Sequence, residues 1–141
     1  MCRVVIDTVV WLQSLINPKS KAGLLLFKHY KNLNILLSYD VTREIIEVLT
    51  RPELAKRRPE IQNLPDLQLI LKALSKTTSV KPERRIEISR DSKDNKFLEA
   101  AVSGKADYII SEDKDLLDLK EFEGIKIVDI ESFLKIINDE I

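Results

Sequence analysis

Two rhythms of apolar and polar positions alternate along the 141-residue chain. Short apolar runs of strand length fall at about 3–6, 34–38, 85–88, 107–111 and 125–129. Helical spacing fills the intervals at about 8–16, 20–31, 40–51, 65–76, 94–104, 113–119 and 130–139. Strands that alternate with helices predict a three-layer α/β/α sandwich around a mostly parallel sheet of four to five strands. On the helix at 40–51, Val41, Ile45 and Val48 (i, i+4, i+7) mark the buried stripe. At about 100° per residue, Glu44 lies roughly 60° from the centre of that stripe and Glu47 roughly 120° away. Gly104 and Gly124 stand where a helix should stop before a strand. The stretch from Pro52 to Pro65 carries three prolines and reads as loop or short helical pieces. With no repeat, low-complexity tract or dividing linker, residues 1–141 are expected to form a single domain.

Composition narrows the class. A hydrophobic share of 44% suffices for a real core. No stretch approaches the roughly 18 apolar residues of a membrane span, and the N-terminus has a strand pattern rather than a signal-peptide layout. Cys2 is the only cysteine, so an intrachain disulfide and a cysteine zinc site are both excluded, and a cytoplasmic location is expected. The net charge is zero but unevenly spread. Lys72 to Lys93 holds seven basic residues against three acidic ones, whereas Asp107 to Ile141 holds eleven acidic residues against four lysines. A protein that grips long nucleic acid by phosphate contacts is usually basic overall. This chain would need metal ions and its 72–93 patch to attract a polyanion, and most of these charges simply solvate helix faces.

Four acidic positions carry the candidate chemistry. Asp7 closes the apolar run Cys2–Ile6, and a helix follows from Thr8. A charge at the end of a buried strand needs water, a helix N-terminus or a cation, so Asp7 reads either as a helix cap or as a site residue. Glu44 borders the buried face of its helix, where pairing with Arg51 or a lysine is the simpler reading. Asp94, in Asp91-Ser92-Lys93-Asp94-Asn95-Lys96-Phe97-Leu98, sits in a first helical turn, where acidic residues complement the dipole. Asp113 and Asp115, in Ser111-Glu112-Asp113-Lys114-Asp115-Leu116, share that ambiguity. Taken together, the four follow strands or open helices on one edge of a parallel sheet, the edge where such folds place their sites. Carboxylates crowded there require a cation, and hard oxygen ligands without His or Cys favour Mg²⁺ or Mn²⁺.

These blocks resemble the PIN domain, particularly the VapC-like toxins of prokaryotic toxin–antitoxin pairs. The resemblance is carried by Val4-Val5-Ile6-Asp7-Thr8, by Leu37-Ser38-Tyr39 through Glu44 to Leu49, by Asp91 to Ala101, and by Ala106 to Leu117, in the family's order. It implies an Mg²⁺- or Mn²⁺-dependent ribonuclease with Asp7, Glu44, Asp94 and Asp113 as catalytic and metal-binding carboxylates. Thr8, Glu47, Asp91, Ser111 and Asp115 are the expected auxiliary residues, and Arg85, Arg90 and Lys93 the candidates for steering an RNA backbone. An antitoxin partner and a homodimer are further implications. One departure stands out: the family usually reads Asp-Thr-Asn where this chain has Asp7-Thr8-Val9, and valine cannot orient a carboxylate by hydrogen bonding. The alternative is therefore a catalytically silent module of the same fold that binds RNA or a protein. Glu112 is expected to add one more negative charge beside the site.

Other acidic-edge folds fit less well. A receiver domain needs an acidic pair after its first strand, and a haloacid-dehalogenase-like phosphatase needs an Asp where Val9 stands. No glycine-rich phosphate loop occurs. His29, amid leucines, and Trp11 with Leu12 read as packed residues rather than catalytic or base-stacking ones.

Overall fold

The computed structural model describes residues 2–49, 72–88 and 92–139. β1 (Cys2–Ile6) runs through the middle of the sheet, and Val4, Val5 and Ile6 are all buried although successive strand residues face opposite sides. Burial on both faces requires helices on both sides, which makes the molecule an α/β/α sandwich. β2 (Leu33–Ser38) pairs with β1 on one side, Val4 opposite Ile35, and carries β3 (Thr78–Val80) on its outer edge. β4 (Tyr108–Ile110) pairs with β1 on the other side, Val4 opposite Tyr108. Beyond β4 lies β6 (Ile125–Val128), and β5 (Glu121–Phe122) joins β6 as the one antiparallel strand, giving the order β3-β2-β1-β4-β6-β5.

The helices are held by their apolar faces. α1 (Thr8–Ile16) buries Val10, Trp11 and Leu15 and packs on α2 (Lys21–Phe27) and α3 (Tyr39–Leu49). α4 (Asn95–Ser103) lays Phe97, Leu98, Ala100 and Ala101 against β1, β2 and β4. After the single turn α5 (Lys114–Leu117), α6 (Ile130–Asp139) buries Ile130, Phe133 and Ile137 at helical spacing, with Phe133 edge-on to Tyr108 at 5.3 Å. Each such large apolar side chain stabilises by about 1.5–3 kcal/mol when fully buried, far above intrinsic helix propensity. Among the described residues, no helix is long and apolar enough to cross a membrane.

Local departures from the sequence pattern have identifiable causes. Residues 85–88 alternate like a strand, with Ile86 buried and Ile88 exposed, yet they join no ladder. The edge beyond β2 is taken by Thr78–Val80, and the Ile86 N–H donates instead to Glu99 Oε2 at 2.9 Å. The helix expected over 20–31 ends at Phe27, and a 3-10 turn at Tyr30–Asn32 leads into β2. Gly104 does close α4, but Gly124 belongs to the two-residue loop joining β5 to β6, where Glu123 and Gly124 both have positive φ (49° and 84°). That pair of angles is the twist-matched hairpin turn, too short to show in the apolar pattern. The helix-or-loop expectations for 51–71 lie outside the described residues.

Four of the parallel strands, β1, β2, β4 and β6, point the same way. The residues that follow them, Asp7, Tyr39, Ser111 and Asp129, therefore stand along one edge.

Candidate metal centre

Asp7 leaves β1 in an extended conformation and caps α1, its Oδ1 accepting the Val10 N–H at 2.9 Å. Its Oδ2 accepts the Ser111 hydroxyl and the Glu112 N–H, the latter at 3.2 Å. The residue is buried. Burial pushes its carboxyl above the ordinary value of 3.8, the hydrogen bonds from Ser111, Val10 and Glu112 pull it back, and the nearby Asp113 charge raises it further. Ser111 follows β4 and is itself fully buried, and its Oγ also accepts the Asp113 N–H at 2.9 Å. One hydroxyl thus ties the carboxylate after β1 to the backbone after β4.

Asp113 caps α5, accepting the Asp115 N–H at 2.8 Å, and Asp115 lies in the first turn. Asp94 ends the 3-10 turn Ser92–Asp94 that opens α4 and is buried. Asp94, Asp113 and Asp115 each offer a carboxylate oxygen, and the three oxygens lie within 4.8 Å of one another. Three hard, anionic oxygens without imidazole or thiolate suit a small divalent cation such as Mg²⁺ or Mn²⁺. These residues fit that ion.

Glu44 reaches the same edge from α3 but is engaged elsewhere. Its Oε2 accepts the Thr8 hydroxyl at 2.7 Å and pairs with the Lys96 ammonium at 2.9 Å. Lys96 Nζ also donates to the Lys93 carbonyl at 2.6 Å, and its side chain is only 19% exposed. Of the expected quartet, then, Asp94 and Asp113 come together, Asp7 adjoins them through Ser111, and Glu44 stands behind Thr8 and Lys96.

Asp115, expected as an auxiliary group, is part of the three-oxygen cluster. Glu47 is exposed, pairs with Arg43 at 3.4 Å and takes no part in that cluster. Arg85 and Lys93 are exposed, with Lys93 next in sequence to Asp94. Arg90 and Asp91 lie outside the described residues, as does Arg51. Glu112 does not add a loose charge to the cluster: its Oε1 accepts the Ile130 N–H at 3.1 Å at the start of α6. Sequence reasoning missed Lys96. Its signal was a lysine in the first turn of a helix, where the dipole disfavours a cation.

Val9 is 49% exposed at the start of α1. Asp7 is oriented by the Val10 N–H, the Glu112 N–H and the Ser111 hydroxyl, none of which is a side chain at position 9. His29 is buried, and burial holds its pKa below the ordinary value, as befits a packed imidazole. A cavity of about 390 Å³ lined by Cys2, Asp107, Tyr108, Gly124 and Lys126 opens at the opposite end of the strands. Its one carboxylate, Asp107, accepts the Arg3 N–H at 2.8 Å and has a structural task.

Fold and site together define an α/β/α protein with an acidic cluster at the carboxyl edge of a parallel sheet. The model of the PIN domain family matches residues 3–115, and the chain belongs to that family. An uncharacterized protein of Methanocaldococcus jannaschii, MJ1680, is 34% identical over 124 residues, covering 84% of this chain and 76% of its own length. Among solved structures, PAE2754 from Pyrobaculum aerophilum superposes with a TM-score of 0.57 at 17% identity, covering 94% of each chain. VapBC2 from Rickettsia felis, bound to a DNA fragment from its promoter, superposes with a TM-score of 0.60 at 13% identity over 90% of this chain and 98% of its own. At these identities the two structures share the fold.

Proposed function

We propose that this chain is an Mg²⁺- or Mn²⁺-dependent endoribonuclease and the toxin of a toxin–antitoxin pair. The observation that carries the reading is the meeting of Asp94, Asp113 and Asp115 oxygens within 4.8 Å of one another, beside the buried Asp7. In this reading Asp94, Asp113 and Asp115 hold the ion and Asp7 supplies a further anionic oxygen to it, which Asp7→Asn would remove. When bound, a divalent ion offsets the crowded charge, polarises a phosphoryl oxygen and eases deprotonation of an attacking water. The chain's own groups supply position. Ser111 Oγ fixes Asp7 relative to Asp113. Thr8 and Lys96 hold Glu44, and the ammonium cancels one negative charge that an approaching phosphodiester would otherwise meet. Lys93 and Arg85 stand exposed to meet the rest of the backbone.

The decisive experiment is cleavage of RNA by the wild type and the Asp7→Asn variant, with and without Mn²⁺. The wild type is expected to cut only with metal. Asp7→Asn, which keeps the helix cap, is expected to lose at least about 100-fold in rate while its circular dichroism stays unchanged. Undiminished cleavage by the variant, or cleavage by wild type in excess chelator, would overturn the assignment. The toxin role, with an antitoxin masking the site and a homodimer as the assembly, draws support from the family and from the likeness to VapBC2. Expression of wild type should arrest growth and Asp7→Asn should not.

A further inference from the structure

Among the described residues, the most exposed large hydrophobic side chain is Tyr39, at 74%. Its place is specific. Val5 pairs with Leu36 in the parallel β1–β2 ladder, so the register carries Asp7 opposite Ser38, and Tyr39 is the next residue. Adjacent strands lie about 4.8 Å apart, so Tyr39 stands at the acidic edge, one strand over from Asp7. It opens α3, and Arg43, one turn on, shares its face with a side chain 66% exposed. The Arg43–Glu47 contact, 3.4 Å long and open to solvent, ties the guanidinium only weakly. Val9, half-exposed at the start of α1, adds apolar surface just beyond β1, the strand between β2, which leads to Tyr39, and β4, which leads to Asp113.

An exposed aromatic ring next to an exposed guanidinium, beside a phosphodiester-cleaving centre, is the chemistry that receives an unpaired nucleobase and its neighbouring phosphate. A duplex buries its base faces in its own stack and offers the ring nothing. We propose that Tyr39 is the residue on which the nucleotide beside the scissile phosphate stacks its base. This inference rests on the nuclease reading. Arg43 contacts the phosphate next to the stacked base and contributes affinity rather than base preference.

The test compares wild type, Tyr39→Phe, Tyr39→Ala and Arg43→Gln on three substrates with Mn²⁺: a single-stranded oligoribonucleotide, a perfect duplex of the same sequence, and bis(p-nitrophenyl) phosphate. Tyr39→Ala should raise KM for the single strand about 5- to 100-fold, the range of lost base stacking. Tyr39→Phe should retain wild-type KM, because the ring face and not the hydroxyl does the stacking. Hydrolysis of the small diester should be the same for wild type, Tyr39→Phe and Tyr39→Ala. Arg43→Gln should weaken RNA binding and flatten its salt dependence. Unchanged KM in Tyr39→Ala, with RNA cleavage by wild type intact, overturns the stacking role alone. Equal loss on the duplex, or a change from dimer to monomer in Tyr39→Ala by sedimentation, reassigns the ring and also overturns it. A wild type that hydrolyses neither RNA nor the small diester sinks the nuclease reading and this inference with it.

Discussion

A lysine in the first turn of a helix works against the macrodipole, yet Lys96 sits there with most of its side chain covered. Its compensation is Glu44, a carboxylate that the sequence placed on the border of the core and paired with Arg51 or a lysine, without singling out which lysine. Lys96→Met should lower metal-free stability by about 1 kcal/mol, the scale of a partly exposed ion pair. The double variant with Glu44→Gln should recover most of it. Chemical denaturation in chelator reads both, and failure of the double variant to recover would separate the two residues. Asp129 gives the pH-dependent counterpart. Its Oδ1 accepts the Ser132 N–H at 2.7 Å at the head of α6, and that cap holds its carboxyl below the ordinary value of 3.8. A depressed folded value means the stabilisation is fully present above about pH 4 and is lost as pH falls through the folded value. Asp129→Ala should therefore cost about 1 kcal/mol at pH 7 and progressively less as pH falls through the folded value, measured by urea midpoints across that range. At this scale Asp7 and Asp113 were legible because each follows an apolar strand, and Asp94 and Asp115 because each opens a helix. Asp115's place among the clustered oxygens and the pairing of Lys96 were not. Their roles depend on which neighbours the fold supplies across the sheet.

Elements were legible wherever an apolar face was long enough to declare a period. β1, β2, β4 and β6 and the helices at Thr8, Tyr39, Asn95 and Ile130 start within two residues of the pattern's positions. The failures are short or decided elsewhere: a three-residue edge strand chosen by its pairing with Leu36 to Ser38, and a two-residue strand created by a tight turn. Close approach is another property that no period reveals. A Cβ on Gly23 of α2 would lie 2.0 Å from the Pro18 carbonyl oxygen, a backbone atom that cannot step aside. Gly23→Ala should thus destabilise by about 2–3 kcal/mol or more despite alanine's better helix propensity. A thermal midpoint equal to wild type would show that the chain entering α2 is free to shift.

At the scale of the whole molecule, the proposed ion binding would be linked to folding, because the carboxylates that meet come from residues 94 to 115 and are assembled by the sheet. At 100 times its dissociation constant, Mn²⁺ should add about 2.7 kcal/mol of stability. For a chain of this size that is roughly 6–10 °C in melting temperature. Asp113→Asn should respond far less, and an equal response in scanning calorimetry would place the ion elsewhere.

The sheet order has a consequence for how the chain is born. β1 is made first, yet one of its two neighbours, β4, begins only at residue 108, and the parallel pairing of Val4 with Tyr108 closes a loop of more than a hundred residues. Neither the central ladder nor the gathering of aspartates exists until Asp113 and Asp115 have been translated. If the proposed nuclease reading holds, a nascent chain stays unarmed until residue 115 has been made and the sheet has closed around it.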